Sequence, residues 1–362
     1  VLLNDVKILE FEGLGPAPFA GMLLADLGAK VTVVNRPDGS PAPGVSDGSL
    51  LDRGKRSIIL DLKNPDDIAK AKALAASQDA VIEGLRPGVM ERLGLGPGDL
   101  QSVNSRLVYG RVTGWGQNGP LAQCAGHDLN YVGMSGAAWY GSLPENAPFT
   151  PPTLLGDVGG GALYLVIGIL AALMEARRTG KGRVVDAAIY DGSAHMMNLL
   201  MVLAQSGALV QERGKSLLDG SHWSRTYETA DRGYMAVQCL EPKFYRIFIE
   251  KMGLANDPRF FDQFDSGKWP SQSDILSGIF RSKPRAHWEG LFVGTDACVA
   301  PVLSPAAAAA HEMNQIRNTW YKRGESLEAA AAPRFSGLPE WLPPEIPTRG
   351  QHTDEILKEM CS

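Results

Sequence analysis

Two short stretches of the chain concentrate side chains able to move protons. Gly126-His127-Asp128-Leu129-Asn130-Tyr131 sets an imidazole beside a carboxylate, an amide and a phenol. Such neighbours can orient and tune a histidine as a general base. The same composition also suits a surface histidine on a polar turn. Gly156-Asp157-Val158-Gly159-Gly160-Gly161 opens an apolar, helix-forming run. Aspartate is a favoured helix N-cap, yet glycines inside a helix cost roughly 1 kcal/mol each relative to alanine. The cost makes sense if a ligand comes close to N–H groups at the positive end of a helix. There Asp157 stays ionised and a developing oxyanion finds donors. The capping and catalytic readings both stand on sequence alone.

Other motifs are weaker. The first turn, Gly13-Leu14-Gly15-Pro16, lacks the third glycine of a dinucleotide fingerprint. The strand after it ends Val34-Asn35-Arg36, with no acidic residue for a ribose. Arg36 suits a phosphate better. Arg53, Lys55, Arg56, Lys63, Arg86 and Arg92 follow where loops leave strands, and parallel sheets bind ligands at the carboxyl ends of their strands. These cations could converge on a polyphosphate or simply face water. Gly44-Val45-Ser46-Asp47-Gly48 matches a nucleophile elbow but has neither the strand before it nor the helix after it. The 6 histidines are dispersed, without metal-ligand spacing.

The elements that must position these groups alternate. VKILEF at 6–11 reads as a strand, 18–27 as a helix closed by Gly28, and 30–34 as a second strand. Further strands are predicted at 57–60, 80–83, 107–111 and 183–188, with helices at 66–77, 88–93, from Asp157 to about Arg178, and 193–210. This is α/β alternation, the opening of a doubly wound, Rossmann-like parallel sheet. A hairpin over 227–237 turns at Ala230-Asp231-Arg232-Gly233, helices recur between 242 and 292, and 326–350 reads as extended chain.

Composition sets the class. With 362 residues, 44% hydrophobic and 21% charged, the chain is an ordinary globular protein of about two domains. A net charge of −5 gives no basic excess for nucleic acid. The 4 cysteines are scattered without a CxxC, which fits a reducing compartment and neither zinc nor a disulfide scaffold. The longest apolar run, 162–174, is short of the about 20 residues of a membrane span. The opening VLLNDVKILEFEG is no secretory signal and KEMCS no peroxisomal ending. A soluble, intracellular, cytoplasmic protein is expected.

At the His127 and Asp157 segments the chain resembles the α-methylacyl-CoA racemases of the family III CoA-transferase superfamily. The likeness runs through the Gly-x-Gly-Pro turn with Leu24–Ala29, Arg53–Ser57 with Asp61–Lys63, Arg86–Val89 and Thr113–Gln117. It continues through Thr179–Gly182, Leu218–Gly220, Glu241–Tyr245 and Gly294–Cys298. The GHDLNY segment is the specific one, because the transferases of this superfamily share the aspartate and lack the histidine.

The resemblance implies an isomerase that inverts the α-carbon of a 2-methylacyl-CoA by two-base proton transfer through an enolate, in fatty acid metabolism. His127 and Asp157 are then the bases, and Glu241 positions His127. No metal or redox cofactor is implied, since the thioester acidifies its own α-proton. Arg36, Leu60, Asp61, Leu62, Lys63, Gly84, Leu85, Arg86 and Arg92 are implied to hold the CoA moiety. Gly126, Asp128, Leu129, Asn130 and Tyr131 are implied to flank the thioester. The implied fold is an interlocked homodimer. Its large α/β CoA-binding domain covers 1–195 and 320–362, its small α+β domain 216–310, and its linkers 196–215 and 311–319. The alternatives are a CoA-transferase working through an anhydride on Asp157 and a non-catalytic CoA-binding protein. One departure stands out. Ser221-His222-Trp223-Ser224-Arg225 replaces the small-residue loop usual in the racemases, so His222 or Arg225 could meet a polar acyl group or face solvent.

Overall fold

The computed structural model describes residues 2–39 and 47–361. Residues 44–46 of the elbow-like motif lie outside them. The chain forms two compact units. One comprises Val1–Ala137, Thr150–Met197 and Tyr321–Ser362, the other Ala138–Phe149 and Asn198–Trp320.

The first unit is built on six parallel strands: β1 (Lys7–Phe11), β2 (Lys30–Asn35), β3 (Arg56–Ile59), β4 (Ala80–Glu83), β5 (Val108–Thr113) and β6 (Val184–Ala188). Their order, β3-β2-β1-β4-β5-β6, is that of a doubly wound sheet, as the alternation predicted. Successive side chains of a strand point to opposite faces, and β1 shows why the sheet needs helices on both. Ile8 packs with Leu24 of α1 (Pro16–Asp26) and with Leu165 and Ile169 further along the chain. Leu9 and Phe11 pack on the other face with Leu74 of α2 (Pro65–Ala76), Met90 of α3 (Val89–Arg92), Leu100 of α4 (Pro97–Val103) and Ile356 of the C-terminal helix Thr353–Met360.

Glu10 breaks the apolar rule on β1. It is fully buried, its carboxylate 2.7 Å from the Lys55 ammonium. Gly21 leaves the room, since a Cβ there would lie 1.8 Å from Glu10 Oε2. Burial pushes the Glu10 carboxyl up to about 7 against the pull of Lys55.

Two helices follow β5: α5 (Asp128–Met134) and, beyond residues of the second unit, a π-helical segment Leu154–Ala162 leading into α6 (Leu163–Thr179). The helix was expected to begin at Asp157, with that residue as its cap. It begins three residues earlier, and Asp157 lies inside the widened turn. The glycines explain the difference. A Cβ on Gly160 would lie 2.6 Å from Ser193 Oγ, and one on Gly161 2.8 Å from Ile189 Cγ1, both residues of α7 (Ile189–Met196). In return, a Cβ on Gly192 of α7 would lie 1.9 Å from the Gly160 carbonyl. They let two helices touch backbone to backbone. Leu154–Thr179 is also, among the described residues, the one stretch long and apolar enough to cross a membrane. Its Leu165, Val166, Ile169, Ala172, Leu173 and Ala176 are buried in the core, as in a core helix.

In the second unit β7 (Ser224–Glu228), β8 (Tyr234–Gln238) and β9 (Val299–Val302) form an antiparallel sheet covered by helices Pro242–Lys251, Trp269–Phe280 and Arg285–Phe292. The predicted helix over 193–210 is instead two, α7 and Asn198–Gln205. The departure at 221–225 turns out to build this unit's core. Trp223 and His222 are fully buried, and His222 Nε2 lies 2.8 Å from the Tyr245 hydroxyl. Burial lowers the His222 pKa to about 3, so the ring is neutral, and it is closed off from solvent. The Arg225 guanidinium lies 5.7 Å from the centre of the Tyr227 ring. Residues 138–149 are held by Arg213, whose guanidinium donates to the Gly141 and Asn146 carbonyls at 2.9 Å each.

Candidate active site

Three local devices bring His127 and Asp157 together. The first seats α5 at the end of β5. The Tyr131 ring lies where a side chain on Gly114 would be, with a Cβ there only 2.0 Å from the ring carbons. Trp115 meets the same ring edge-on at 4.8 Å, and the Tyr131 hydroxyl donates to the Gly126 carbonyl in a short hydrogen bond. The second fixes the start of α5. The Asn130 side-chain oxygen accepts from the His127 backbone N–H at 3.0 Å, which leaves the imidazole exposed at the N-cap position.

The third device joins the two segments. Asp128 is 7% exposed, and its Oδ1 accepts from the backbone N–H of Gly156 at 2.9 Å and of Asp157 at 2.8 Å. Gly156 is glycine because a Cβ would lie 2.4 Å from that oxygen and 2.6 Å from Val132. The N–H groups of Gly156 and Asp157 are therefore engaged by Asp128.

The Asp157 carboxyl faces the first turn of the fold. A Cβ on Gly15, whose φ is +67°, would lie 3.5 Å from Asp157 Oδ2. The glycine-rich turn after β1 thus lines a carboxyl group, a role outside the dinucleotide fingerprint. Burial, and then the neighbouring Asp128 charge, push the Asp157 carboxyl up to about 6, while His127 pulls it down. An acid poised there holds a usable fraction of both forms near neutrality.

The implied CoA residues fall at the carboxyl ends of neighbouring strands. Arg36 follows β2, Leu60 to Lys63 follow β3, and Gly84, Leu85 and Arg86 follow β4, with Arg92 ending α3. Arg36, Lys63, Arg86 and Arg92 are exposed, whereas Leu60 is buried. The three other cations of the sequence reading are absorbed by carboxylates. Arg53 pairs with Asp26 at 2.5 Å, Lys55 with Glu10, and Arg56 with Glu355 at 2.8 Å and Glu359 at 2.9 Å. Around His127, Asp128, Asn130 and Tyr131 hold backbone groups of the protein, and Leu129 is 47% exposed. Glu241 belongs to the second unit, exposed at the N-cap of Pro242–Lys251. Among the described residues no cluster of His, Cys, Asp or Glu could hold a metal ion.

A doubly wound sheet with a histidine and a carboxyl group at its carboxyl edge narrows the class, and comparison settles the family. The chain belongs to CoA-transferase family III, whose model matches residues 3–353. Within it, the chain is similar to the α-methylacyl-CoA racemases of Mus musculus and Homo sapiens. Each is 39% identical over 99% of this chain and 93% of the relative. The succinyl-CoA–D-citramalate CoA-transferase of Chloroflexus aurantiacus is 30% identical over 99% of this chain and 94% of its own length. The crystal structure of a CAIB/BAIF family protein from Brucella suis superposes with a TM-score of 0.84 at 25% identity, covering 99% of this chain and 98% of that one.

Proposed function

We propose that this protein is a 2-methylacyl-CoA racemase that moves one proton between the two faces of the α-carbon, with His127 and Asp157 as its bases. The observation that carries the reading is the junction made by Asp128, which ties the backbone of Asp157 to the residue after His127. The likeness to two racemases at 39% identity supports the same reaction over transfer.

In one direction a base removes the α-proton and the C–H electron pair passes into the thioester as an enolate. The other base, entering protonated, delivers its proton to the opposite face. The chemistry needs no metal or redox group, because the thioester carbonyl delocalises the carbanion. Asp157 can serve as acid or base because its burial brings its two forms close in energy near neutral pH. The exposed cations Arg36, Lys63, Arg86 and Arg92, set around adjoining strand ends, suit the phosphates of CoA. In keeping with the resemblance, we take the protein to work as a homodimer in the cytoplasm.

The test is incubation with single epimers of 2-methylacyl-CoA thioesters in deuterated water. The reading predicts product of both configurations with a one-unit mass gain at the α-carbon. Steady formation of a new thioester from an added free acid, without deuterium uptake, would establish transfer through Asp157 instead.

A further inference from the structure

Asp128 stands in the segment that the family resemblance gives to the thioester, but its surroundings describe another task. It is 7% exposed, and one of its oxygens takes both N–H groups that open the Asp157 turn. Gly156 is kept small by that oxygen and by Val132. The carboxylate is thus shut in by the protein on the side where it works.

We propose that Asp128 is a positioning residue for Asp157: its carboxylate holds the backbone of residues 156 and 157 and sets a negative charge beside the Asp157 carboxyl. The inference rests on the two-base reading for its catalytic meaning, but the structural and electrostatic claim stands on its own. Two physical effects follow from one side chain. The hydrogen bonds fix where the Asp157 turn begins, and so the distance from Asp157 to His127. The charge favours the protonated form of Asp157, since two neighbouring carboxylates resist being ionised together. The other titratable group acting on Asp157 is His127, which opposes this; the Tyr131 phenol nearby is pushed up by burial and by the Asp157 charge. The turn after β1 presents Gly15, and α7 meets the glycines of the segment with Ser193, Ile189 and Met196, none of them charged.

The two effects separate by substitution. Asp128→Asn keeps an oxygen that can accept both N–H bonds but removes the charge. Asp128→Ala and Gly156→Ala both break the contact, the second by pushing the carboxylate away while leaving its charge in place. The direct readout is a carbon-13 NMR titration of aspartate carboxyl groups in the full-length protein, with the Asp157 signal identified by its loss in Asp157→Asn. In Asp128→Asn the Asp157 titration should move down by about half a pH unit or more, with the fold intact. The acid limb of α-proton exchange should move with it. In Asp128→Ala and Gly156→Ala the exchange rate should fall by about 10²-fold or more, because displacements near 1 Å disturb the reacting geometry on that scale.

An Asp157 titration that does not move in Asp128→Asn, or undiminished exchange in both alanine variants, overturns the proposal. The two-base reading fails separately. If Asp157→Asn still racemises, Asp157 is not a base, whatever its titration does in Asp128→Asn.

Discussion

Replacing Gly114 by alanine tests how the fold places His127. The Cβ would arrive 2.0 Å from two carbons of the Tyr131 ring and 2.4 Å from its hydroxyl oxygen. Ordinary contact begins near 3.4 Å, so the ring must retreat by about 1.4 Å. It cannot do so by a rotamer change alone, because Trp115 packs on it edge-on and its hydroxyl is bonded to the Gly126 carbonyl. Tyr131 sits in the first turns of α5, so the retreat carries the helix start and the His127 imidazole with it. A displacement of this size costs about 10²-fold in a reaction that depends on near-attack geometry, and overpacking costs about 1–3 kcal/mol in stability. The assay is racemisation of a single thioester epimer, with kcat and KM measured separately, beside a urea unfolding curve. We expect kcat to fall by about two orders of magnitude with a smaller change in KM. Because Tyr131→Ala removes the clashing ring, Gly114→Ala should cost less stability in the Tyr131→Ala background than in the parent. A Gly114→Ala enzyme within threefold of the parent in kcat would show that the Tyr131 seat does not place His127.

Two further outcomes follow from the buried carboxyl groups. Asp157, raised to about 6, loses its carboxylate form as pH falls through that value. Each direction starts from an enzyme that shares one proton between its two bases, so racemisation of both epimers should slow together, about tenfold per pH unit as pH falls below about 6; pH–rate profiles that differ in shape between the two epimers would contradict the two-base cycle. Lys55→Met leaves Glu10 buried without its cation, which costs about 3–5 kcal/mol. Because the stranded Glu10 then favours its protonated form, the loss measured by urea unfolding should be smaller at pH 5 than at pH 8.

Much of the α/β scaffold was legible because its signals are local. The β-branched runs of β1 and β2, the Gly-Pro turn between β1 and α1, and the Asp231–Gly233 turn of the β7–β8 hairpin need no distant partner to be read. The candidate site was legible only as residue types open to two readings, a polar turn or a base at His127 and a helix cap or a base at Asp157, and the family resemblance chose between them. The construction of the site was not legible. Asp157 looked like a helix cap because aspartate favours that position, but the turn starts earlier owing to contacts with Asp128 and α7. Arg53 and Arg56 looked available for phosphate because their carboxylate partners, Asp26, Glu328, Glu355 and Glu359, lie far away in sequence. His222 and Trp223 looked like loop residues because nothing local announces the small core that encloses them. In each case the deciding contact is tertiary.

The central claim is that one α-hydrogen is handled by two different side chains from opposite sides. The most direct measurement is deuterium uptake from solvent into each pure epimer, followed in His127→Ala and in Asp157→Asn. The account predicts that neither variant interconverts the epimers, and that each still exchanges the hydrogen of one epimer, a different one in the two variants. Racemisation at the parent rate in either variant, or equal exchange of both epimers in both, would contradict it.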